Sequence, residues 1–293
     1  MKIAQKLGHT GYSISFEVFP PKEDTRAEQV FASAMEIASL NPSFISVTYG
    51  AGGGTSRFTM QMARDIQEKT GVSTMAHLTC ISSTRATVDA RIDELLSCGI
   101  DNVMALRGDR PQGQENPADQ DFAHATDLIA HLREKAGDRI AIGGACYPEV
   151  HPESTGMRED LLHLKEKVEA GCDFLTTQMF FDNALFYRFL YRLRESGVTV
   201  PVIPGIMPIT NARQIDRARK LSGSFMPQRF LSLVDTFGNN NAAMEQAGII
   251  YATDQIIDLF ANDIRHVHVY TMNHPHVARA ILENLSGILG TGA

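Results

Sequence analysis

The feature that most constrains the fold is an alternation of strand-like and helix-like segments, repeated eight times along the 293-residue chain. The strand-like segments are short runs rich in β-branched and aromatic residues, bounded by Gly, Pro, Asn or Asp. They predict strands at 14–19, 44–49, 73–80, 102–108, 139–147, 174–181, 200–207 and 266–272. Such an alternation is typical of α/β folds with a parallel sheet.

The segments between the strands are amphipathic. In 25–40, for example, Val30, Phe31, Ala34 and Ile37 recur at helical spacing. Comparable patterns predict helices at 56–70, 84–98, 119–136, 159–170, 183–196, 211–222, 241–262 and 274–285.

Eight strand–helix units fit a (β/α)8 TIM barrel, which needs about 250 residues or more. No break toward a second domain interrupts the units, so a closed barrel is favoured over an open doubly wound sheet. We therefore expect a single α/β barrel domain over 1–293. Residues 1–13 would form an N-terminal extension, and 286–293 a loose tail.

Composition and charge narrow the function classes. The formal net charge is −7 without a run of Lys or Arg, which argues against nucleic acid as the main partner. No stretch approaches the roughly 18 apolar residues of a membrane span, and the N-terminus lacks the apolar region of a secretory signal. A cytoplasmic protein is expected, and a homo-oligomer is possible. The four scattered cysteines are interpreted as core residues.

Polar residues occur in pairs near the carboxyl ends of six predicted strands. Each pair is spaced two apart, so that both side chains share one strand face. The pairs are Ser15 and Glu17, Ser46 and Thr48, His77 and Thr79, Arg107 and Asp109, Thr176 and Gln178, and His268 and Tyr270. Since the carboxyl ends of barrel strands form the catalytic mouth, we interpret Glu17 in "ISFEVFPP" as a functional carboxylate rather than a solvated strand residue.

Several loops could contribute to the same mouth. "VTYGAGGGTSR" (47–57) follows a strand but matches neither G-x-G-x-x-G nor a P-loop. In "ALRGD", Arg107 and Asp109 form either a structural ion pair or an anion contact beside a cofactor. The two prolines of "YPEVHPE" stiffen the loop that carries Tyr147 and His151, as a surface turn or as part of a site.

Two further segments suggest contacts with a ligand. Asp160 and Lys167 lie on one side of the amphipathic helix "DLLHLKEKVEAG", either solvated or facing a ligand at the proline loop. The amide of Gln178 both donates and accepts hydrogen bonds, which suits the edge of a heterocycle.

The H-x-H pair His266 and His268 raises a metal alternative. Metal-dependent barrel hydrolases use such pairs together with ligands from other strand ends. However, His266 lies at the amino end of its predicted strand, away from the mouth. No metal is therefore our main expectation, and a metal-dependent hydrolase is the alternative function.

Taken together, the motifs resemble the methylenetetrahydrofolate reductase family, in its bacterial single-domain form. The matching segments, in order from residue 14 to about 273, are "SFEVFPPK", "FISVTYGAGG", "AHLTC", "ALRGD", "YPEVHPE", "DLLHLKEKVEAG", "TTQMFFD", "IPGIMPI" and "HVHVYTMN". The resemblance implies an FAD-containing (β/α)8 barrel. Such an enzyme reduces 5,10-methylenetetrahydrofolate to 5-methyltetrahydrofolate, the methyl source for methionine, with hydride passed from NAD(P)H through the flavin N5 position.

The resemblance also implies roles for individual residues. Glu17 matches the general acid that opens the five-membered ring of the folate, and Asp109 matches a carboxylate near flavin and pterin. Gln178 and Tyr270 match positions at the substrate. The positions that match FAD contacts are Thr48, Ala51, His77, Arg107, Gly108, Asp109, Tyr147, His151, Asp160 and Lys167.

The segment 226–240 departs from the family pattern. Relatives place an amide and an aromatic residue there, whereas our alignment puts Ser232 and Val234 at those positions. NADH is the default donor, with NADPH or a non-nicotinamide donor as alternatives.

Overall fold

The computed structural model describes residues 1–9, 11–49, 56–109 and 121–290. Parts of the predicted glycine-rich loop, including Ala51, and most of the loop after Asp109 lie outside the described residues. The strands are β1 (Ser13–Val18), β2 (Ile45–Val47), β3 (Thr74–Thr79), β4 (Asn102–Leu106), β5 (Ala141–Cys146), β6 (Phe174–Thr177), β7 (Val202–Ile203), β8 (Gly205–Ile206) and β9 (His266–Tyr270).

The helices alternate with the strands, as the sequence predicts. They are α1 (Ile3–Lys6), α2 (Ala27–Ser39), α3 (Ser56–Thr70), α4 (Arg85–Ser97), α5 (Ala125–Ala136), α6 (Met157–Glu169), α7 (Asn183–Glu195), α8 (Arg213–Ser222), α9 (Gln228–Phe237), α10 (Asn241–Ala261), α11 (Pro275–Asn284) and α12 (Ser286–Leu289). Three of them, α1, α9 and α12, are additional to the predicted set. α12 occupies the start of the segment for which we expected a loose tail.

The strands form one parallel sheet in the order β7-β6-β5-β4-β3-β2-β1-β9-β8. β7 and β8 lie at opposite ends of this order but are separated in the chain by Pro204 alone. The sheet therefore curls round on itself as a nearly closed barrel, and the predicted TIM-type fold is confirmed. The single strand predicted at 200–207 is divided in the structure into β7 and β8. The division falls at Pro204, because proline has no backbone N–H to donate to a neighbouring strand.

Three hydrogen bonds close the barrel around Pro204. The carbonyl of Pro201 accepts from Leu175 N–H on β6, and the carbonyl of Pro204 accepts from His268 N–H on β9. The N–H of Gly205 donates to the hydroxyl of Thr177 at 2.9 Å. Each half-strand thus joins a different neighbour, and β6 and β9 come together at the rim.

The core has a plug at the amino ends of the strands. Ile3 of α1 is fully buried there with Phe44, Met104 and Phe174. The backbone N–H of Ile3 donates to the side-chain oxygen of Asn102 at 2.7 Å. The expected N-terminal extension therefore closes the bottom of the barrel and leaves the opposite, carboxyl rim for a site. Within the described ranges, no helix has the length and apolar character to cross a bilayer.

Gly205 is the position at which we expect the closure to be most sensitive. A Cβ atom there would overlap the carbonyl oxygen of Thr177 and the hydroxyl of Tyr270. Gly205→Ala should lower the free energy of unfolding by about 2–3 kcal/mol, because a backbone oxygen cannot give way. The measurement is urea denaturation, with Gly287→Ala as the control, since a Cβ on that helical glycine meets open space. Equal stability of the two variants would contradict the role assigned to this closure.

Candidate functional site

A cavity of about 1140 Å³ opens at the carboxyl rim of the barrel. It is the place where most of the predicted site residues meet. Those that line it are Glu17, His77, Arg107, Gly108, Asp109, Tyr147, His151, Asp160, Lys167, Gln178 and Tyr270. Thr48, partly exposed just after β2, is not among the described lining residues, and Ala51 lies outside the described residues.

The carboxylate of Glu17 stands between two imidazole rings. Its Oε2 atom lies 3.6 Å from Nε2 of His77 and 3.7 Å from Nε2 of His268. Each ring is held by a serine at the level below: Ser46 Oγ lies 2.7 Å from His77, and Ser15 Oγ lies 2.8 Å from Nδ1 of His268. The side chain of Glu17 is only 19% exposed, so the carboxyl group meets the cavity from a largely desolvated position.

Burial lowers the pKa of His77 below its ordinary value of 6.5. The nearby Glu17 carboxylate raises the pKa and His268 lowers it, but the loss of water around the ring is the largest cause. His77 is therefore a neutral imidazole at pH 7. A neutral ring can accept or donate a hydrogen bond at the cavity floor without adding charge.

Arg107 is paired with a residue that the sequence analysis did not assign. Its two terminal nitrogens donate to the two carboxylate oxygens of Glu153 at 2.5 and 2.7 Å. This bidentate pair is the largest cause of a raised pKa at Arg107. Asp109, the partner in the ion pair that was one of two alternatives from the sequence, is exposed at the rim. Glu153 ends the proline-rich loop "YPEVHPE", and its position two residues after His151 was the available signal.

Gly108 lets the chain leave β4 at this point. Its φ is +91°, and a Cβ atom would come within 2.9 Å of Ile81 and 3.1 Å of Thr79. Only glycine combines that conformation with so close an approach. The backbone between Arg107 and Asp109 is thus pressed against the β3 end of the rim.

The loop between β5 and α6 is organised by Asp160, which is buried in the first turn of α6. Its carboxylate accepts from the backbone N–H of His151 at 3.2 Å and from the hydroxyl of Ser154 at 3.4 Å. Nδ1 of His151 in turn accepts from the backbone N–H of Glu153. The stiff loop expected from its prolines is thus held at the cavity by a carboxylate at the start of the helix.

Lys167 is a half-buried lysine on the cavity wall. Its ammonium donates to the carbonyl of Ala145 at 2.9 Å, and burial lowers its pKa. An ammonium that has lost much of its water beside a large cavity would bind an anionic group of a ligand strongly.

On the opposite wall, Tyr270 reaches across the closure between β6 and β9. Its hydroxyl donates to the carbonyl of Thr177 at 2.5 Å, so it offers the cavity mainly its ring. The side-chain oxygen of Gln178 accepts from the backbone N–H of Met179 at 3.0 Å. Both groups are therefore held in fixed positions before any ligand enters.

The two histidines of the H-x-H motif lie in different environments. His266 lies at the bottom of the barrel, bonded to Ser13 and to the carbonyl of Leu7, while His268 lies beside Glu17 and stacks on Phe44. Among the described residues, no group of three or more His, Cys, Asp and Glu side chains is arranged to hold a metal ion. The metal-hydrolase alternative is not supported.

The divergent segment 226–240 forms α9, which the helix prediction omitted. Phe230 is buried against Phe181 and Tyr251, and Ser232 Oγ bonds back to the carbonyl of Gln228 on its own helix. No described lining residue of the cavity comes from this segment.

The chain is similar in sequence to known proteins. A family profile described as "Methylenetetrahydrofolate reductase" matches residues 2–286. The chain is 37% identical to "Methylenetetrahydrofolate reductase (NADH) 1" of Zea mays over 97% of its own length, but spans about half (50%) of that relative. It is 34% identical to the "5,10-methylenetetrahydrofolate reductase" of Escherichia coli, covering 93% of this chain and 90% of the relative.

A solved structure from Clostridium thermocellum is similar in fold. It belongs to an uncharacterised protein that binds two copies of 5-methyl-5,6,7,8-tetrahydrofolic acid. The TM-score is 0.68, with 98% of this chain and 99% of that chain covered at 14% sequence identity. At this identity the likeness concerns the fold.

The lowered pKa of His77 leads to a prediction about acid stability. The unfolded chain binds a proton on this ring near pH 6.5 and the folded chain does not, so stability is kept above that pH and lost as the pH falls below it. In His77→Gln, the free energy of unfolding should fall less steeply below about pH 6.5, by up to ~1.4 kcal/mol per pH unit, than in the wild type. Urea denaturation between about pH 7.5 and 5 measures this slope.

The matched control is Ser46→Ala, which removes the hydroxyl bonded to His77 but leaves the ring. It should retain the wild-type dependence of stability on pH. A wild-type slope in His77→Gln would show that the imidazole takes up its proton equally in both states.

Proposed function

The chain belongs to the methylenetetrahydrofolate reductase family, and from that premise we propose that it reduces 5,10-methylenetetrahydrofolate to 5-methyltetrahydrofolate with bound FAD. Hydride comes from a nicotinamide donor. The observation that carries the proposal is Glu17, a carboxyl at the end of β1 that faces a 1140 Å³ cavity between two imidazoles. The binding of 5-methyltetrahydrofolic acid by the Clostridium protein of similar fold agrees with a folate in this cavity.

The described residues fit a flavin dinucleotide. The half-buried ammonium of Lys167 and the guanidinium of Arg107 line one side of the cavity, where a pyrophosphate would neutralise them. Arg107 now shares its charge with Glu153, so we propose that Glu153 releases it or moves with it when the anion binds. His151 and Asp160, on the loop beside them, could bind ribose hydroxyls.

FAD, when bound, supplies the two-electron step between the nicotinamide donor and the folate. The protein residues supply positions and protons. We propose that Glu17 protonates a nitrogen of the five-membered folate ring, which opens the ring and leaves a carbon that accepts hydride. His77 and His268 flank the carboxyl, with Nε2 of each ring 3.6 and 3.7 Å from Oε2 of Glu17, and so fix its position at the cavity.

The donor is proposed to be NADH, as in the names of the plant relatives. The segment 226–240 contributes no described residue to the cavity lining, so recognition of the donor would rest on the rim residues and the bound flavin. Anaerobic stopped-flow with NADH and NADPH, following flavin absorbance, compares the two donors directly.

Replacing the proposed acid separates the two half-reactions. Glu17→Gln should retain FAD and its reduction by NADH, whereas reduction of methylenetetrahydrofolate should fall by about 10²–10⁴-fold, because the amide has no proton to deliver. Single-turnover absorbance of the flavin measures both steps. If folate is still reduced at the wild-type rate, Glu17 is not the acid; if the purified protein binds no flavin, the whole proposal fails.

Replacing Lys167 tests the proposed cofactor site. Lys167→Met should weaken FAD binding by about tenfold or more, because a charge-assisted contact with an anion is lost. The control is Lys165→Met on the same helix, where the ammonium lies at the surface near Glu169. Fluorescence titration of FAD into the flavin-free protein measures both affinities. Equal FAD affinities in the two variants would show that the anionic part of FAD does not contact Lys167.

A further inference from the structure

Two buried oxygen atoms lack a hydrogen-bond partner among the side chains that the structure describes. They are Oε1 of Glu149 and Oγ1 of Thr176. Thr176 is the more informative of the two, because it lines the rim cavity and is 5% exposed. A buried hydroxyl without a hydrogen-bond partner lowers the stability of the folded chain. A bound ligand is therefore the partner to expect for it.

The next residue along the strand shows what a structural threonine does in this position. Thr177 is equally buried, and its hydroxyl accepts from the backbone N–H of Gly205 in the barrel closure. Thr176 points to the other face, into the barrel, beside Ala145 on β5 and Ile203 on β7. Neither neighbour has a side chain that can hydrogen-bond. The donor and acceptor sites of the hydroxyl are therefore left for a group in the cavity, which Thr176 lines.

The position of Thr176 around the rim indicates which ligand it meets. The cationic wall of the cavity carries Arg107, just after β4, and Lys167, on α6, whereas Glu17 and Tyr270 lie on β1 and β9 and Gln178 directly follows β6. Thr176, on β6, is two residues before Gln178 and so has the same inward phase, one level deeper. It therefore lies with the groups proposed to contact the folate rather than with those proposed for FAD.

We propose that Thr176 is a further substrate-binding residue, whose hydroxyl hydrogen-bonds the polar edge of the folate pterin below Gln178. This inference rests on the proposed function of the cavity. A hydroxyl that both donates and accepts can match a ring nitrogen or an exocyclic group of a pterin. The hydroxyl of Tyr270 is already bonded to the carbonyl of Thr177, and the side-chain oxygen of Gln178 accepts from Met179, whereas the Thr176 hydroxyl has no described partner and can meet this edge.

The test replaces the hydroxyl by a methyl group of similar shape. In FAD-loaded Thr176→Val, the Kd for 5-methyltetrahydrofolate should rise about fivefold, as expected for one neutral hydrogen bond. The melting temperature should be no lower than in the wild type, since an unpartnered buried polar atom has been removed. Thr176→Ser keeps the hydroxyl and should retain a Kd near that of the wild type. Calorimetric titration of the anaerobic enzymes with their FAD reduced, so that no hydride can pass from 5-methyltetrahydrofolate to the flavin, reports Kd, and a thermal scan reports stability.

Thr177→Val is the matched control on the same strand. It leaves the N–H of Gly205 without an acceptor and should lower the melting temperature, the opposite of the effect at Thr176. This contrast separates a hydroxyl that serves the ligand from one that serves the fold.

Three outcomes would overturn the inference. An unchanged Kd for folate in Thr176→Val would mean that the hydroxyl does not contact the pterin. If the melting temperature of this variant also falls, the hydroxyl is hydrogen-bonded within the protein or to a buried water molecule. Weaker FAD binding with unchanged folate binding would assign the hydroxyl to the flavin. If the wild-type enzyme itself binds no 5-methyltetrahydrofolate, the proposed function fails first, and the result is distinguishable from a failure at Thr176 alone.

Discussion

The closure of the barrel at Pro204 is the constraint on which the geometry of the site depends. Proline cannot donate to a strand ladder, so the seventh predicted strand divides, and its halves pair with β6 on one side and β9 on the other. Gly205 then leaves room for the Tyr270 side chain to reach the carbonyl of Thr177. Without this junction the two strands would lie at the free edges of an open sheet, and Gln178 and Tyr270 would not face one cavity.

The closed rim divides into two regions of different electrostatic character. On β4, β5 and α6, the charged groups are held by partners: Arg107 by Glu153, Lys167 by a backbone carbonyl, and Asp160 by loop donors. On the other side, the carboxylate of Glu17 is set between two imidazoles in a largely buried position. The first region suits an extended anionic ligand, and the second suits a neutral heterocycle that exchanges a proton.

Much of this arrangement was accessible from sequence. Alternation between strand and helix indicated the barrel, and polar pairs of period two indicated which side chains share the mouth; nearly all of those pairs have a member in the cavity. Contacts between distant segments were not accessible. Glu153 pairs with Arg107 across 46 positions, and Ser15 bonds His268 across 253, and no local pattern reports such distances. The helix prediction omitted α9, whose apolar residues pack in a cluster separate from the main barrel core.

By itself, the sequence determined the repeating unit, the inward phase of each strand and the chemical types of the groups at its carboxyl end, because these follow from spacing along one chain segment. Only the tertiary structure decided which charge has which partner, and which hydroxyl of the adjacent pair Thr176 and Thr177 is consumed by the fold. Pairing and burial depend on strands brought side by side by closure, and desolvation, which governs the pKa of His77 and Lys167, exists only once the barrel excludes water.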